Sequence, residues 1–159
     1  MKKILGLFVI LLTIGSTGVF AKGKGKSFAI GAQAGYPLGG AVTFKVQSVP
    51  CVFALDFSGN SDGMNLGLTA DWWISNPTIT GTWGYYYGLG LYAGLGLGGE
   101  SFGFAAAPRL LIGTNVFCFD NFLELYLQGG WEPTLYISDA GLGTDFLSFF
   151  ANLGFRFWF

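Results

Sequence analysis

Charged side chains are rare in this 159-residue chain, and six of them stand singly inside apolar stretches. Three are basic and three are acidic: Lys45, Asp56, Asp71, Arg109, Glu124 and Arg156. Isolated charges of both signs can form a buried ion-pair network, or they can line a narrow polar path or bind a small ligand. We favour the network, because the alternation described below predicts a barrel of about eight strands, and side chains can fill the interior of a barrel of that size.

Few residues offer catalytic or metal-binding chemistry. The chain has no histidine, which removes the most frequent general base and metal ligand. Its two cysteines, Cys51 and Cys118, give no metal-ligand spacing. The stretch from Gly88 to Gly99 lacks the Gly-Lys-Ser/Thr element of a phosphate loop, and no basic patch indicates nucleic acid. We therefore predict a protein that is not an enzyme and that binds no cofactor, metal or nucleic acid.

The first residues are typical of a cleaved signal peptide. A positive start, Met1-Lys2-Lys3, precedes the apolar stretch Ile4 to Ile14 and a small-residue cleavage site at Val19-Phe20-Ala21. We therefore divide the chain into a signal peptide, residues 1–21, and one mature domain, residues 22–159.

The composition favours a membrane β-barrel. Charged residues make up 11% of the chain, against about 25% in soluble domains, and the mean hydropathy is +0.52. No mature segment has the roughly 20 uninterrupted apolar residues of a spanning helix. A closed barrel is the other structure that satisfies every backbone hydrogen-bonding group in lipid.

Alternation of apolar and other residues predicts an all-β fold, an antiparallel up-and-down transmembrane barrel of about eight strands. The predicted strands are Ser27–Tyr36, Ala41–Gln47, Cys51–Ser58, Met64–Ile74, Tyr85–Leu97, Phe102–Thr114, Phe122–Gln128 and Leu147–Phe159. All six charges fall on the face opposite the apolar one, which we expect to face the lumen. A Lys or Arg that faced lipid at mid-depth would cost about 2–4 kcal/mol.

The strand order suggests two groups of charges. Strands six, seven and eight carry Arg109, Glu124 and Arg156, which we expect to form one network. Strands two to four carry the other three charges, which we expect to form a second. Pro108 lies within strand six and cannot donate a ladder hydrogen bond, so we expect a bulge within Ala105 to Pro108.

An even number of strands places both termini on the periplasmic side. The outer connections then lie near Pro37-Leu38-Gly39, Gly59 to Gly63, Gly98 to Ser101, and Gly129 to Thr144. Their charges are all acidic (Asp62, Glu100, Glu132 and Asp139, with Asp145 at the boundary), which we interpret as solubility of exposed loops. In the longest connection Trp131, Leu135 and Tyr136 could contact a partner, fold over the mouth or form an aromatic girdle.

Export makes a disulfide between Cys51 and Cys118 chemically allowed. Both cysteines fall at predicted periplasmic strand ends, but on opposite sides of the barrel. A bridge would require the turn Val116 to Asn121 to fold across the opening, so that the two Cα atoms approach within about 7 Å.

The C-terminal sequence resembles the assembly signal of bacterial outer-membrane proteins. It ends in an aromatic residue preceded by alternating apolar residues: Leu153, Phe155, Phe157 and Phe159. The resemblance implies recognition by the barrel assembly machinery. At the level of the fold, the chain resembles the small OmpA/OmpX and OmpW-like barrels.

More narrowly, the chain resembles a family of small outer-membrane proteins from spirochaetes. The resemblance lies in short motifs that cover most of the mature chain: Gly35-Tyr36-Pro37-Leu38-Gly39, Ala70-Asp71-Trp72, Tyr87-Gly88-Leu89-Gly90, Pro108-Arg109-Leu110, Glu124-Leu125-Tyr126-Leu127 and Leu153-Gly154-Phe155-Arg156-Phe157. It implies a location in the bacterial outer membrane and a barrel fold, and it supplies no catalytic residues.

These observations predict an outer-membrane barrel with a plugged, charge-paired lumen and a structural or surface-interaction role. Its partners would be outer-membrane lipid, the barrel assembly machinery and an extracellular molecule of unknown identity. The alternative is a minor pore or transporter for small or apolar solutes.

Overall fold

The structure is a computed structural model that describes residues 26–37, 39–60, 63–98, 101–139 and 141–159. The predicted signal peptide, residues 1–21, lies outside these ranges. No helix in them has the length and apolar character needed to cross a membrane.

The described residues form eleven β-strands, each antiparallel to its neighbours. The strands are β1 Phe28–Tyr36, β2 Gly39–Val46, β3 Cys51–Asn60, β4 Gly63–Ser75, β5 Thr78–Thr80, β6 Trp83–Gly98, β7 Ser101–Cys118, β8 Leu123–Trp131, β9 Thr134–Ser138, β10 Gly141–Asp145 and β11 Phe149–Trp158.

Eight of these strands close into a barrel, in the order β1-β2-β3-β4-β6-β7-β8-β11 and back to β1. The predicted fold class, an all-β antiparallel up-and-down barrel of eight strands, is confirmed. The other three strands are additions to the barrel wall. Strand β5 pairs with the start of β6, and the β9–β10 hairpin pairs with β7.

The strand registers determine the tilt of the barrel. Starting at Phe28 on β1, successive cross-strand partners around the barrel lead through Leu110 on β7 and Trp131 on β8 to Phe149 on β11. The β1–β11 register, however, places Phe28 opposite Phe159. For this path, the β2–β3 and β1–β11 registers are each extended by one residue. The two positions that correspond to Phe28 on the C-terminal segment differ by 159 − 149 = 10 residues, which is the offset of the barrel. Ten residues of rise, about 33 Å, against eight strand spacings, about 38 Å, give a tilt of roughly 40°.

The two ends of the barrel differ in shape. At the end that carries the chain termini, which we call the terminal end, the strands finish at similar heights. At the other, open end, β1 and β2 finish after 9 and 8 residues, whereas β6 and β7 contain 16 and 18. Because each residue rises about 2.5 Å along the barrel axis at this tilt, the wall of β6, β7, β9 and β10 stands roughly 20 Å above the β1–β2 wall.

The prediction of a bulge within Ala105 to Pro108 is wrong. Strand β7 pairs with β6 in an unbroken register from Ser101 to Val116, with Pro108 opposite Leu91. On its other side, β7 pairs with β8 up to Trp131 and resumes with β9 in the same register, which places Pro133 opposite Pro108. Pro108 and Pro133 therefore lie opposite each other. Because neither proline has a backbone N–H, neither leaves a donor unpaired, and no bulge is needed.

The connection expected from Gly129 to Thr144 is largely β-structure. Strand β8 continues to Trp131, and the β9–β10 hairpin follows after Glu132 and Pro133. The extended ladder with β7 satisfies backbone groups that a loop would have left to water.

The disulfide considered between Cys51 and Cys118 is not present, because both thiols are free. Cys51 begins β3 and Cys118 ends β7, and strands β4 and β6 lie between them in the wall.

Candidate functional site

The inner face of the barrel carries the charged and polar side chains. Period-two alternation places the six charges singled out in the sequence on this face, on β2, β3, β4, β7, β8 and β11. Five of the six are at least 95% buried: Lys45, Asp71, Arg109, Glu124 and Arg156. Asp56 is only half-buried, because it lies nearer the open end.

Glu124 is the centre of a network near the terminal end. Its Oε2 lies 3.1 Å from Arg156 Nε, and its Oε1 accepts a hydrogen bond of 3.2 Å from Arg156 Nη2. Asn115 Nδ2 and Trp158 Nε1 also donate to the carboxylate, at 2.8 and 3.0 Å. Three hydrogen bonds and the close Arg156 Nε contact, which is not aligned for a hydrogen bond, thus surround one fully buried carboxylate. A buried anion requires partners of this kind.

Aromatic rings fill the space above this network. The Trp73 and Tyr86 rings stack with centroids 3.9 Å apart, and the Lys45 ammonium lies 3.1 Å from the Trp73 centroid. The Arg156 guanidinium lies 4.1 Å from the centre of the Tyr126 ring. Cation–π contacts of this kind stabilise cations that have left water. Large buried side chains therefore close the terminal half of the lumen.

Arg109 is the centre of a second network, nearer the open end. Its Nε lies 3.2 Å from Asp71 Oδ1, and its Nη1 lies 3.0 Å from Glu132 Oε2. Nη1 also donates to the Thr69 hydroxyl at 3.2 Å, and that hydroxyl donates to Asp56 at 2.6 Å. The Nε–Asp71 contact is a close ion pair whose atoms are not aligned for a hydrogen bond.

The expected grouping of the charges was wrong in part. Arg109 on β7 pairs past β6 with Asp71 on β4 rather than with Glu124 and Arg156. Lys45 lies at the level of Arg156 instead of forming ion pairs with Asp56 and Asp71. In a narrow, tilted barrel, inner side chains from strands that are not adjacent can meet, so adjacency of strands alone does not decide the partners.

Hydrogen bonds extend the Arg109 network through the middle of the lumen to Tyr86, in the layer of aromatic rings. The Tyr86 hydroxyl donates to Gln128 Oε1 at 3.1 Å, and Gln128 Nε2 donates to Asp71 at 3.4 Å. Beside them, the Tyr126 hydroxyl donates to Gln33 at 3.0 Å. The described lumen residues therefore form layers of polar and aromatic side chains.

Sequence reasoning missed Glu132 as an inner charge and assigned it to an exposed loop. The structure buries it to 9% exposure, against Arg109. Glu132 has the same parity as Glu124, Tyr126 and Gln128, so an alternation continued through Gly129 and Gly130 would have placed it inside.

The open-end network forms the floor of a cavity of about 250 Å³ at the open end of the barrel. Its walls contain hydroxyl, amide and aromatic side chains, together with the half-buried carboxylate: Gln33, Asp56, Ser58, Asn65, Tyr92, Thr134, Ser148, Phe150 and Asn152. The Phe150 ring supports the floor, because the Arg109 guanidinium lies 3.8 Å above its centre.

The proposed assembly residues lie on the outer face of β11 and just beyond it. Leu153, Phe155 and Phe159 are exposed there, and Phe157 packs at 5.3 Å between ring centroids against Phe122. Aromatic side chains from neighbouring segments surround the terminal end of the barrel at this position.

Among the described residues, no group of three acidic, cysteine or histidine side chains is arranged to hold a metal ion. Comparison of the chain with known protein families, with curated proteins and with solved structures finds no match.

Proposed function

We propose that this protein is an integral barrel of the bacterial outer membrane, of the OmpA/OmpX/OmpW-like kind, with a plugged lumen and a structural or surface-interaction role. One observation carries the proposal. In the described barrel strands, all charged side chains lie on the inner face, and large apolar side chains are exposed on the outer face. This is the reverse of a water-soluble protein, whose surface carries most of its charged side chains.

The dimensions of the barrel support a membrane location. An outer-membrane barrel presents an apolar band about 25 Å tall, which about ten residues cover at the tilt found here. The shortest wall, β1 and β2, has 9 and 8 residues, and its outer face carries Phe28, Ile30, Val42 and Phe44. Even this wall therefore approaches the height of the band.

The sequences at the two ends of the chain support the proposal that the protein is exported and assembled as a membrane barrel. Residues 1–21 would direct the chain out of the cytoplasm, and Leu153, Phe155, Phe157 and Phe159 would be recognised by the barrel assembly machinery. With both termini in the periplasm, the tall wall and the β9–β10 hairpin would face outward. Leu135, Ile137 and Leu142, exposed on that wall, would be the contact surface for an extracellular partner or for lipid.

The alternative, a minor pore for small or apolar solutes, requires an open path through the terminal half. Trp73, Tyr86 and Trp158 are each at most 2% exposed and block that half. We also propose a role without catalysis, as the sequence without histidine led us to expect.

Planar-bilayer recording on the refolded mature protein tests the plugged barrel. We expect folded protein, identified by heat-modifiable migration on a gel, to insert without reproducible single channels. Regular conductance steps that change in size when Arg109 and Glu124 are neutralised together would instead support the pore. A mature protein that folds and stays soluble without detergent would contradict the membrane location.

A further inference from the structure

The cavity at the open end has an excess of negative charge. Two carboxylates, Asp56 and Glu132, and one guanidinium, Arg109, line it, which gives 1 − 2 = −1 for ionised groups. Arg109 forms its ion pairs with Asp71 and Glu132, whereas Asp56 accepts a hydrogen bond from the neutral Thr69 hydroxyl. A cleft with charge of one sign and low-dielectric walls concentrates counter-ions.

Tyr92 gives the same cavity an aromatic wall. Its ring lies across two glycines, because a Cβ atom at Gly67 or Gly94 would overlap it. The side chain lines the cavity and is only half-buried. The face of an aromatic ring next to carboxylates is a typical site for an organic cation.

The cavity also offers hydrogen-bond donors that a plain cation would leave unused. The Arg109 guanidinium forms part of the floor and is 4% exposed. The walls add the Ser58 hydroxyl and the amides of Asn65 and Asn152. A ligand suited to this lining carries oxygen acceptors as well as a positive charge.

From these three observations, we infer that the open-end cavity binds a small organic cation that carries hydroxyl groups, the chemistry of an amino sugar or an amino alcohol. Its ammonium group contacts Asp56 and Glu132, its carbon skeleton lies against the Tyr92 ring, and its hydroxyl groups meet the amide donors of Asn65 and Asn152. A cavity of about 250 Å³ has the volume of about eight water molecules in the liquid, which is enough for one such molecule. The inference does not depend on the membrane location.

Binding of D-glucosamine, compared with D-glucose, tests this inference. The two sugars differ only in an amino group, which is protonated at slightly acidic pH. Titration of the refolded protein in detergent micelles, followed by NMR shifts of the tyrosine ring protons, should show saturable binding of glucosamine. Glucose should bind about tenfold more weakly, because one charge interaction near a protein surface is lost. Equal binding of the two sugars, or no saturable binding of glucosamine, would overturn the inference.

A pair of single substitutions locates the site. Asp56→Asn removes one charge and keeps an oxygen that accepts the Thr69 hydrogen bond, so the barrel should still fold. We expect it to weaken glucosamine about tenfold and to leave glucose unchanged. Asp120→Asn, in the exposed β7–β8 turn at the terminal end, is the matched control and should change neither. If both variants fold and bind glucosamine equally well, the cavity is not the site.

Discussion

At the residue scale, the barrel stabilises buried ions by surrounding each with several partners. Glu124 accepts hydrogen bonds from Arg156, Asn115 and Trp158, and Arg109 lies between Asp71 and Glu132. Removing two well-paired ions together costs little, whereas removing one leaves an uncompensated charge. The inner charges are therefore coupled in pairs rather than independent contributions.

The Glu124–Arg156 pair gives a direct test of this coupling. Glu124→Leu leaves Arg156 fully buried without its carboxylate, which should lower the free energy of unfolding by about 3–5 kcal/mol. The double variant Glu124→Leu, Arg156→Met should recover most of this loss. Urea unfolding in micelles or lipid vesicles measures both values. If the double variant is no more stable than the single one, the two charges are not coupled.

At the element scale, glycines on the inner face make room for tyrosines. Tyr126 lies over Gly154 of β11, and Tyr86 lies over Gly113 of β7. A strand interior loses stability when it contains glycine, so these positions are explained by the rings that cover them. Each tyrosine ring thus occupies the space that a glycine leaves on the neighbouring strand.

Gly154→Ala tests this packing. A Cβ atom there would overlap the Tyr126 ring and come within 2.8 Å of the Ala32 carbonyl oxygen, so strand β11 itself would have to shift. We expect destabilisation of about 1–3 kcal/mol, which is typical of overpacking. Gly59→Ala is the control, because its Cβ would meet no atom closer than 3.6 Å. Equal unfolding midpoints for the two variants would show that the space at Gly154 is not restricted.

Glycine and proline positions explain why the longest connection was misassigned. The predicted strand ended at Gln128, before Gly129 and Gly130. Pro133 follows the observed end of β8, and Pro108 marks a weak point on β7. Taken alone, each proline predicts the end of a strand or a bulge in it. Only the register shows that they lie opposite each other, so that a single interruption accommodates both and the ladder continues into β9.

At the scale of the whole molecule, the proposed function rests on what the outer surface faces. Ile112 is 63% exposed at mid-height on β7. If this surface faces lipid, Ile112→Arg should destabilise the folded barrel in vesicles by about 2–4 kcal/mol. Leu142→Arg, on the β9–β10 hairpin above the band and 72% exposed, should cost about 0–1 kcal/mol. A water-facing surface would tolerate both substitutions equally.

The sequence alone predicts the strand alternation, the inner face of the six charges within the predicted strands and the barrel class. These properties are local, because the side-chain period of two assigns every residue of a strand to one face once its register is known. The six inner charges and the apolar outer face of β11 follow from that rule alone.

Only the tertiary structure decided which charges meet and where the lumen is open. The ten-residue offset tilts the strands, so that Arg109 on β7 reaches Asp71 on β4, two strands away, while Glu124 holds Arg156. The unequal wall heights, which depend on register and strand length together, leave the cavity at one end and the ring-filled core at the other. Contacts between strands that are distant in sequence depend on closure of the whole sheet, which no local pattern encodes.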